Sequence, residues 1–219
     1  MNTLGISAGF HDAAATVIDP TGNILFAGHS ERYSKHKNDD GIDYGLLADV
    51  DQHGPIKHVA YYERPWLKQL RRAYTREGIQ FSQLTTRGVI SHHTNGRYRK
   101  CSISSHNHHL SHAAAGFQTS SFDRATCVVI DAIGEWDTIS IWGAEYDSQG
   151  KATYKKLWRQ RYPHSIGLFY SAITQRIGLH PLDEEYITMG MAGWGQNTYQ
   201  MCMEEIVLDD QWNIRFRDN

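Results

Sequence analysis

A globular chain that mixes strands and helices is what this sequence predicts, and three observations predict it. The chain opens on three short strand-like runs separated by turns. Strand-like and helix-like stretches then alternate along its length. A composition of 40% hydrophobic and 21% charged residues over 219 positions is that of a globular chain able to bury a generous core.

The elements follow in order. Leu4 to Ser7, Ala13 to Ile18 and Ile24 to Gly28 read as strands, with Ala8-Gly9-Phe10-His11-Asp12 as a polar first bend and Asp19-Pro20-Thr21-Gly22-Asn23 as the second turn. This is an antiparallel meander. It differs from a nucleotide-binding βαβ unit, in which a crossover helix follows the first strand. Glu31 to Gly45 is polar and irregular, Tyr44 to Asp51 a short helix, Lys57 to Tyr62 a strand, and Pro65 to Glu77 a basic helix. Gln83 to Ser105 has little periodicity and reads as a long surface loop. A helix opens at the histidine run His106-Asn107-His108-His109-Leu110-Ser111-His112 and continues to about Phe117. Ala125 to Ile130, Thr138 to Glu145 and Thr153 to Arg161 are strands; Ser165 to Ile177 is a helix stopped by Gly178. A glycine-rich turn, Met189 to Gly195, a helix from Thr198 to Val207 and a strand from Gln211 to Phe216 complete the reading, with no internal repeat visible.

The totals exclude several function classes. A formal net charge of -2 argues against a protein that coats nucleic acid or anionic membrane by bulk charge, leaving Arg71-Arg72 and Arg97 to Lys100 as local basic stretches. No run is apolar enough to span a bilayer and the N-terminus lacks the form of a signal peptide, so the expectation is a soluble cytoplasmic protein with no membrane partner. Three cysteines without CxxC spacing suggest neither a disulfide framework nor a cysteine zinc site.

The chemistry concentrates in the histidine run. His108 and His112 stand four apart, a spacing that puts both imidazoles on one face of a helix, where neutral imidazole can supply two metal ligands. A solvated helix start in a chain with 13 histidines is the plain alternative. Asp131 ends an apolar strand nineteen residues after His112 and can complete a His, His, Asp set suited to zinc or ferrous iron; the alternative is an aspartate capping a turn. His11, in the first bend beside Asp12, is a candidate general base, or a structural turn residue. Lys37 lies in the mixed-charge run Glu31 to Asp39, which can meet an oxyanion or simply be solvated. Gly190, Gly193 and Gly195 offer backbone N–H groups but match no phosphate-loop pattern.

Five motifs fall in a colinear order that resembles the N-terminal part of the O-carbamoyltransferases of nodulation-factor, cephamycin and aminoglycoside biosynthesis. A GxxxxxHD signature is seen as Gly5 to Asp12, and an acidic-basic stretch as Glu31 to Asp39. An HHxSHAAxAF motif is similar to His108 to Phe117, and a DGxGE strand-turn to Asp131 to Glu135. An SxGxxY helix with a glycine-rich turn looks like Ser165 to Tyr170 and Glu185 to Gly195. The resemblance implies an α/β fold, an ASKHA-type, actin-like lobe with a mixed β-sheet and flanking helices over residues 1–219, related to the tRNA threonylcarbamoyladenosine synthesis enzymes. It implies a metal, iron or zinc, on His108, His112 and Asp131, and catalytic roles for His11 and Lys37 in the same cleft. It implies a reaction taking carbamoyl phosphate and ATP through carbamoyladenylate to a hydroxyl of a sugar, an antibiotic or a modified nucleobase, the last making nucleic acid a conceivable partner. Family members continue through a second lobe and a YrdC-like domain, so the implied partners include those parts, in a following chain or a C-terminal extension. Three departures stand out: Ala132 replaces a glycine, Asn38 a histidine, and Ile187-Thr188 the lysine and valine-like pair of the glycine-rich turn. A different class of function, a noncatalytic module that keeps the half-fold and binds a partner, is the alternative, with a His/His/Asp metal hydrolase behind it.

Overall fold

The computed structural model describes residues 1–196, 206–210 and 213–216. The chain forms two compact units, Met1–Ser111 and His112–Asn219.

The first unit is built on β1 (Asn2–Ser7), β2 (Ala14–Ile18), β3 (Ile24–His29), β4 (Ile56–Tyr61) and β5 (Ser102–Ser105), in the order β3-β2-β1-β4-β5. The first three strands are antiparallel, and β4 and β5 add to β1 in parallel. The sheet is therefore mixed, as the resemblance implies, with the expected antiparallel meander as its first three strands. The meander closes through Asp19, whose Oδ1 accepts from the amides of Thr21 at 2.8 Å and Asn23 at 2.9 Å while Gly22 takes φ +93°. Alternation buries Leu4 and Ile6 on β1, Ala15 and Val17 on β2 and Val59 and Tyr61 on β4. Helix α2 (Tyr44–Gln52) covers that face with Leu46, Leu47 and Val50, its N-terminus capped by Asp43, which accepts from the Gly45 amide at 2.7 Å. The Tyr61 hydroxyl donates to the Ala8 carbonyl at 2.6 Å, tying the end of β4 to the first bend; burial, then the charge of Glu63, push its pKa up, so it remains a donor.

The region expected as a long loop is ordered structure. Within residues 83–105 lie α4 (Thr86–His93), N-capped by Thr85, which accepts from the Gly88 amide at 3.1 Å, and the strand β5. Val89 and Ile90 are all the apolar surface α4 contributes to the core, and β5 carries a single apolar residue, Ile103. Such a short apolar signal shows no period, and tertiary packing decides the structure instead. The other first-unit helices are α1 (Glu31–Ser34), inside the stretch expected to be irregular, α3 (Pro65–Tyr74) and a 3-10 turn at Phe81–Gln83.

Helix α5 (His108–Gln118) runs across the division into the second unit, which also contains β6 (Arg124–Gly134), β7 (Asp137–Tyr146) and β8 (Ala152–Arg161), an antiparallel sheet in sequence order. Each unit thus contains a three-stranded antiparallel meander, although no sequence repeat announces it. Helix α6 (Ile166–Arg176) begins at Ser165, which accepts from the Leu168 amide at 3.1 Å. The glycine-rich stretch is largely helical, as α7 (Glu185–Ala192); a glycine within a helix costs only about 1 kcal/mol relative to alanine, less than packing can supply. Of the expected helix from Thr198 to Val207, positions 198–205 lie outside the described residues, while Ile206 and Val207 belong to the strand β9 (Ile206–Leu208), paired with β10 (Ile214–Phe216). Among the described residues no helix is long and apolar enough to cross a membrane.

Acid should weaken this fold. The Ser34 hydroxyl and the Gly41 amide hold Asp39 below the usual carboxylate range. Glu185 is held there as well, because bonds from Ser171 and the Leu182 amide outweigh the opposing effect of burial. A carboxyl that binds its proton more weakly folded than unfolded stabilises the fold above the unfolded value, and that stability is lost as pH falls through the folded value. The urea midpoint is expected to hold from pH 7 to about 5 and to drop below about pH 4, with Asp39→Asn flattening the drop. A midpoint unchanged at pH 3 would contradict these assignments.

Candidate metal centre

Helix α5 is started by Asn107, whose Oδ1 accepts from the Leu110 amide at 3.0 Å, and anchored by Ser111, whose hydroxyl donates to the Tyr62 carbonyl at 2.7 Å. Its buried positions are His109, Ala113 and Phe117, spaced four apart. That row fixes the helix rotation. It leaves His108 and His112, each one position before a buried residue, on a common face, His108 largely shielded and His112 exposed.

Asp131 lies where the β6–β7 ladder slips: Ile130 pairs with Ile139, and the next registered pair is Gly134 with Asp137. Asp131 nevertheless keeps to the strand alternation, on the shielded face of Ala125, Cys127 and Val129 rather than the exposed face of Thr126, Val128 and Ile130. Asp131 Oδ1 accepts from the Ala132 amide at 2.7 Å, and Oδ2 stands 3.8 Å from His112 Nε2. Ser165 holds the backbone beneath, donating from its hydroxyl to the carbonyls of Ala132 at 2.7 Å and Asp131 at 3.2 Å. Gly167 completes this seat, since a Cβ there would fall 2.6 Å from the Ala132 Cα. The serine and glycine of the SxGxxY motif therefore act on the aspartate. Within the second unit His112 also borders a cleft of about 450 Å³ between α5 and β6, lined by Gly116, Phe117, Ala125 and Val129 among others.

Helix α5 carries both imidazoles, and in the second unit the Asp131 carboxylate stands 3.8 Å from the His112 ring, a donor set of two histidines and one carboxylate. Ligands about 2.0–2.2 Å from a zinc ion stand roughly 3–3.5 Å apart, so the 3.8 Å between His112 and Asp131 needs only a small contraction. Two imidazoles and one carboxylate also suit ferrous iron, with positions left over for substrate. The residues fit such an ion.

The other sequence candidates lie in the first unit. His11 Nδ1 is 2.7 Å from Asp12 Oδ2, and the imidazole is about half exposed. The bend turns through Gly9 at φ +88° and Asp12 at φ 51°. Backbone bonds from Gly9 to the Asp40 carbonyl at 2.8 Å and from Ala13 to the Asp39 carbonyl at 2.7 Å stitch this bend to the segment just after Lys37, which is exposed.

Two residues with no sequence signal link the bend to His108. Lys68 donates to the Gly9 carbonyl at 3.2 Å and to Glu63 Oε1 at 3.1 Å, and Glu63 Oε2 lies 3.6 Å from His108 Nδ1. Burial pushes the Glu63 pKa up, but His108 and Lys68 together hold it below the ordinary value. Glu63 follows a strand and Lys68 sits in a basic helix, so only the tertiary structure marks them.

A family model described as Carbamoyltransferase N-terminus matches residues 2–219. The chain is 30% identical over 245 residues to the uncharacterized protein sll1178 of Synechocystis sp., covering 99% of this chain and 38% of that protein. It is 27% identical over 197 residues to the nodulation protein NolNO of Sinorhizobium fredii, covering 84% of this chain and 28% of that one. The chain therefore spans well under half the length of these curated relatives. Among solved structures, a ROK family protein from Streptococcus pneumoniae aligns with a TM-score of 0.38 at 15% identity, over 89% of this chain and 68% of that one.

Proposed function

The chain belongs to the carbamoyltransferase family, and on that premise we propose that residues 1–219 form the metal-binding first lobe of an O-carbamoyltransferase that moves a carbamoyl group from carbamoyladenylate to an alcohol. The donor set carries the reading, with His108 and His112 on one face of α5 and Asp131 3.8 Å from His112. A divalent iron or zinc bound there would supply Lewis-acid polarisation of carbonyl and phosphoryl oxygens. His11, oriented by its Nδ1 contact to Asp12, presents Nε2 to take the acceptor's hydroxyl proton as its oxygen bonds to the carbamoyl carbon and AMP departs. Lys37 offsets negative charge on the departing nucleotide. Carbamoyl phosphate and ATP are the substrates from which the adenylate is made, and a second lobe and a YrdC-like domain are the partners. A sugar, an antibiotic or a modified nucleobase supplies the hydroxyl.

Mass spectrometry tests this directly. Supplied with the two partner domains as separate chains, carbamoyl phosphate, ATP and a panel of alcohols that includes hydroxymethylated DNA, the protein is expected to add one carbamoyl group to an acceptor. His11→Ala should lower the rate by about 10²-fold or more while metal content is kept. Absence of any carbamoylated product with all components present overturns the transferase reading.

A further inference from the structure

A neutral imidazole can serve a metal only through the nitrogen without the proton, so a histidine ligand works best when a second group fixes its tautomer from the far side of the ring. At His108 the group that faces Nδ1 is Glu63. Its Oε2 faces Nδ1 at 3.6 Å, and both side chains are largely shielded, at 6% and 14% exposure. The ring is bounded on another side by the Tyr62 ring, 5.2 Å between centroids in an edge-on arrangement. Glu63 does not float. Lys68 Nζ meets its other oxygen at 3.1 Å and the Gly9 carbonyl at 3.2 Å, and lies 5.5 Å over the Phe10 ring. Phe10 in turn packs on His11, with centroids 4.6 Å apart.

We propose that Glu63 is the positioning residue of this metal centre, accepting the Nδ1 proton of His108 so that Nε2 is offered to the ion, with Lys68 fastening that carboxylate to the bend that carries His11. The assignment rests on the metal reading above. Glu63 and Lys68 together add no net charge to the centre, so the pair acts by direction and tautomer rather than by bulk attraction for a cation. It also gives His108 and the base-bearing bend a shared contact, because Lys68 donates both to Glu63 and to the Gly9 carbonyl.

The test is a Zn(II) titration of the full chain against a chromophoric chelator, beside ring-nitrogen NMR of His108 in the metal-free protein. In the unsubstituted chain His108 is expected as the Nδ1–H tautomer. Glu63→Gln, whose amide presents N–H as readily as oxygen, should lose that bias and weaken Zn(II) binding about 10- to 100-fold. Glu63→Asp should recover part of both. The double variant Glu63→Gln/Lys68→Met removes the stranded ammonium, and carries the measurement should the single variant fold poorly. Zinc affinity within twofold of the unsubstituted chain in the folded Gln variant, or an Nε2–H tautomer in the unsubstituted protein, overturns the inference. Failure of the metal reading gives a different pattern: no zinc bound by the unsubstituted chain, or full binding retained by His112→Ala, with the tautomer result still standing on its own.

Discussion

Replacing His112 with alanine is expected to abolish stoichiometric binding of a divalent ion while leaving the metal-free protein as stable as before. The two effects separate because of where His112 stands. Its side chain is 54% exposed, so truncation removes little packing, and exposed substitutions of this kind change stability by no more than about 0.5 kcal/mol. As a ligand, however, it would contribute one of three bonds. Loss of an outer-shell partner alone costs up to about 100-fold in metal affinity, and loss of a ligand should exceed that. Asp131→Asn provides the companion measurement. It keeps the shape and the oxygen that accepts from the Ala132 amide, yet removes the charge from the oxygen facing His112. Elemental analysis of protein purified without added chelator, with thermal melts in its presence, reads both quantities. Unreduced metal in His112→Ala would remove the centre from the account.

The parts of this centre differ in how legible they are. The i, i+4 histidine pair is visible because helix periodicity is a local property, and the strand-end aspartate because an apolar run stops there. Alternation along β6 puts Asp131 on the shielded face with Cys127 and Val129, but that this face meets His112 is set by tertiary packing, which no local pattern encodes. Glu63 and Lys68 are invisible for the same reason: their partners are five residues apart in one direction and, for Lys68 and Gly9, fifty-nine in another. At the level of elements, the opening meander follows from alternating apolar residues and the Asp19 turn, whereas α4 and β5 carry too few apolar residues to show a period. The division between the units falls between Ser111 and His112, inside a helix, with no proline or glycine linker to mark it. The motif glycines are the instructive case. The chain reads Met189 to Gly195 as a turn, yet a helix ends there at Ala192; Gly167, unremarkable in a helix pattern, is the glycine whose missing side chain matters.

A single methyl group at Gly167 is therefore expected to damage both stability and metal binding. Alanine is the better helix former by about 1 kcal/mol, and an isolated helix would gain from the change. Here the added Cβ would stand 2.6 Å from both the Cα and the amide nitrogen of Ala132 and 2.8 Å from the Asp131 carbonyl oxygen. All three are backbone atoms, so no side-chain rotation relieves the overlap. Either α6 backs away from β6 or the end of β6 moves. Both stretch the Ser165 bonds to the Asp131 and Ala132 carbonyls and shift the carboxylate relative to His112. Overpacking of this kind costs about 1–3 kcal/mol, and with only backbone to yield the upper end is expected, outweighing the helix gain. Gly190→Ala is the control, since a Cβ there meets nothing within 4 Å and only the helix preference remains. Melts of the metal-free proteins should place Gly167→Ala below the unsubstituted chain and Gly190→Ala level with it or above, and zinc affinity should fall in the first alone. A Gly167→Ala protein that melts higher and binds zinc as tightly would show that α6 is free to move from the strand end, and that the seat of Asp131 is set elsewhere.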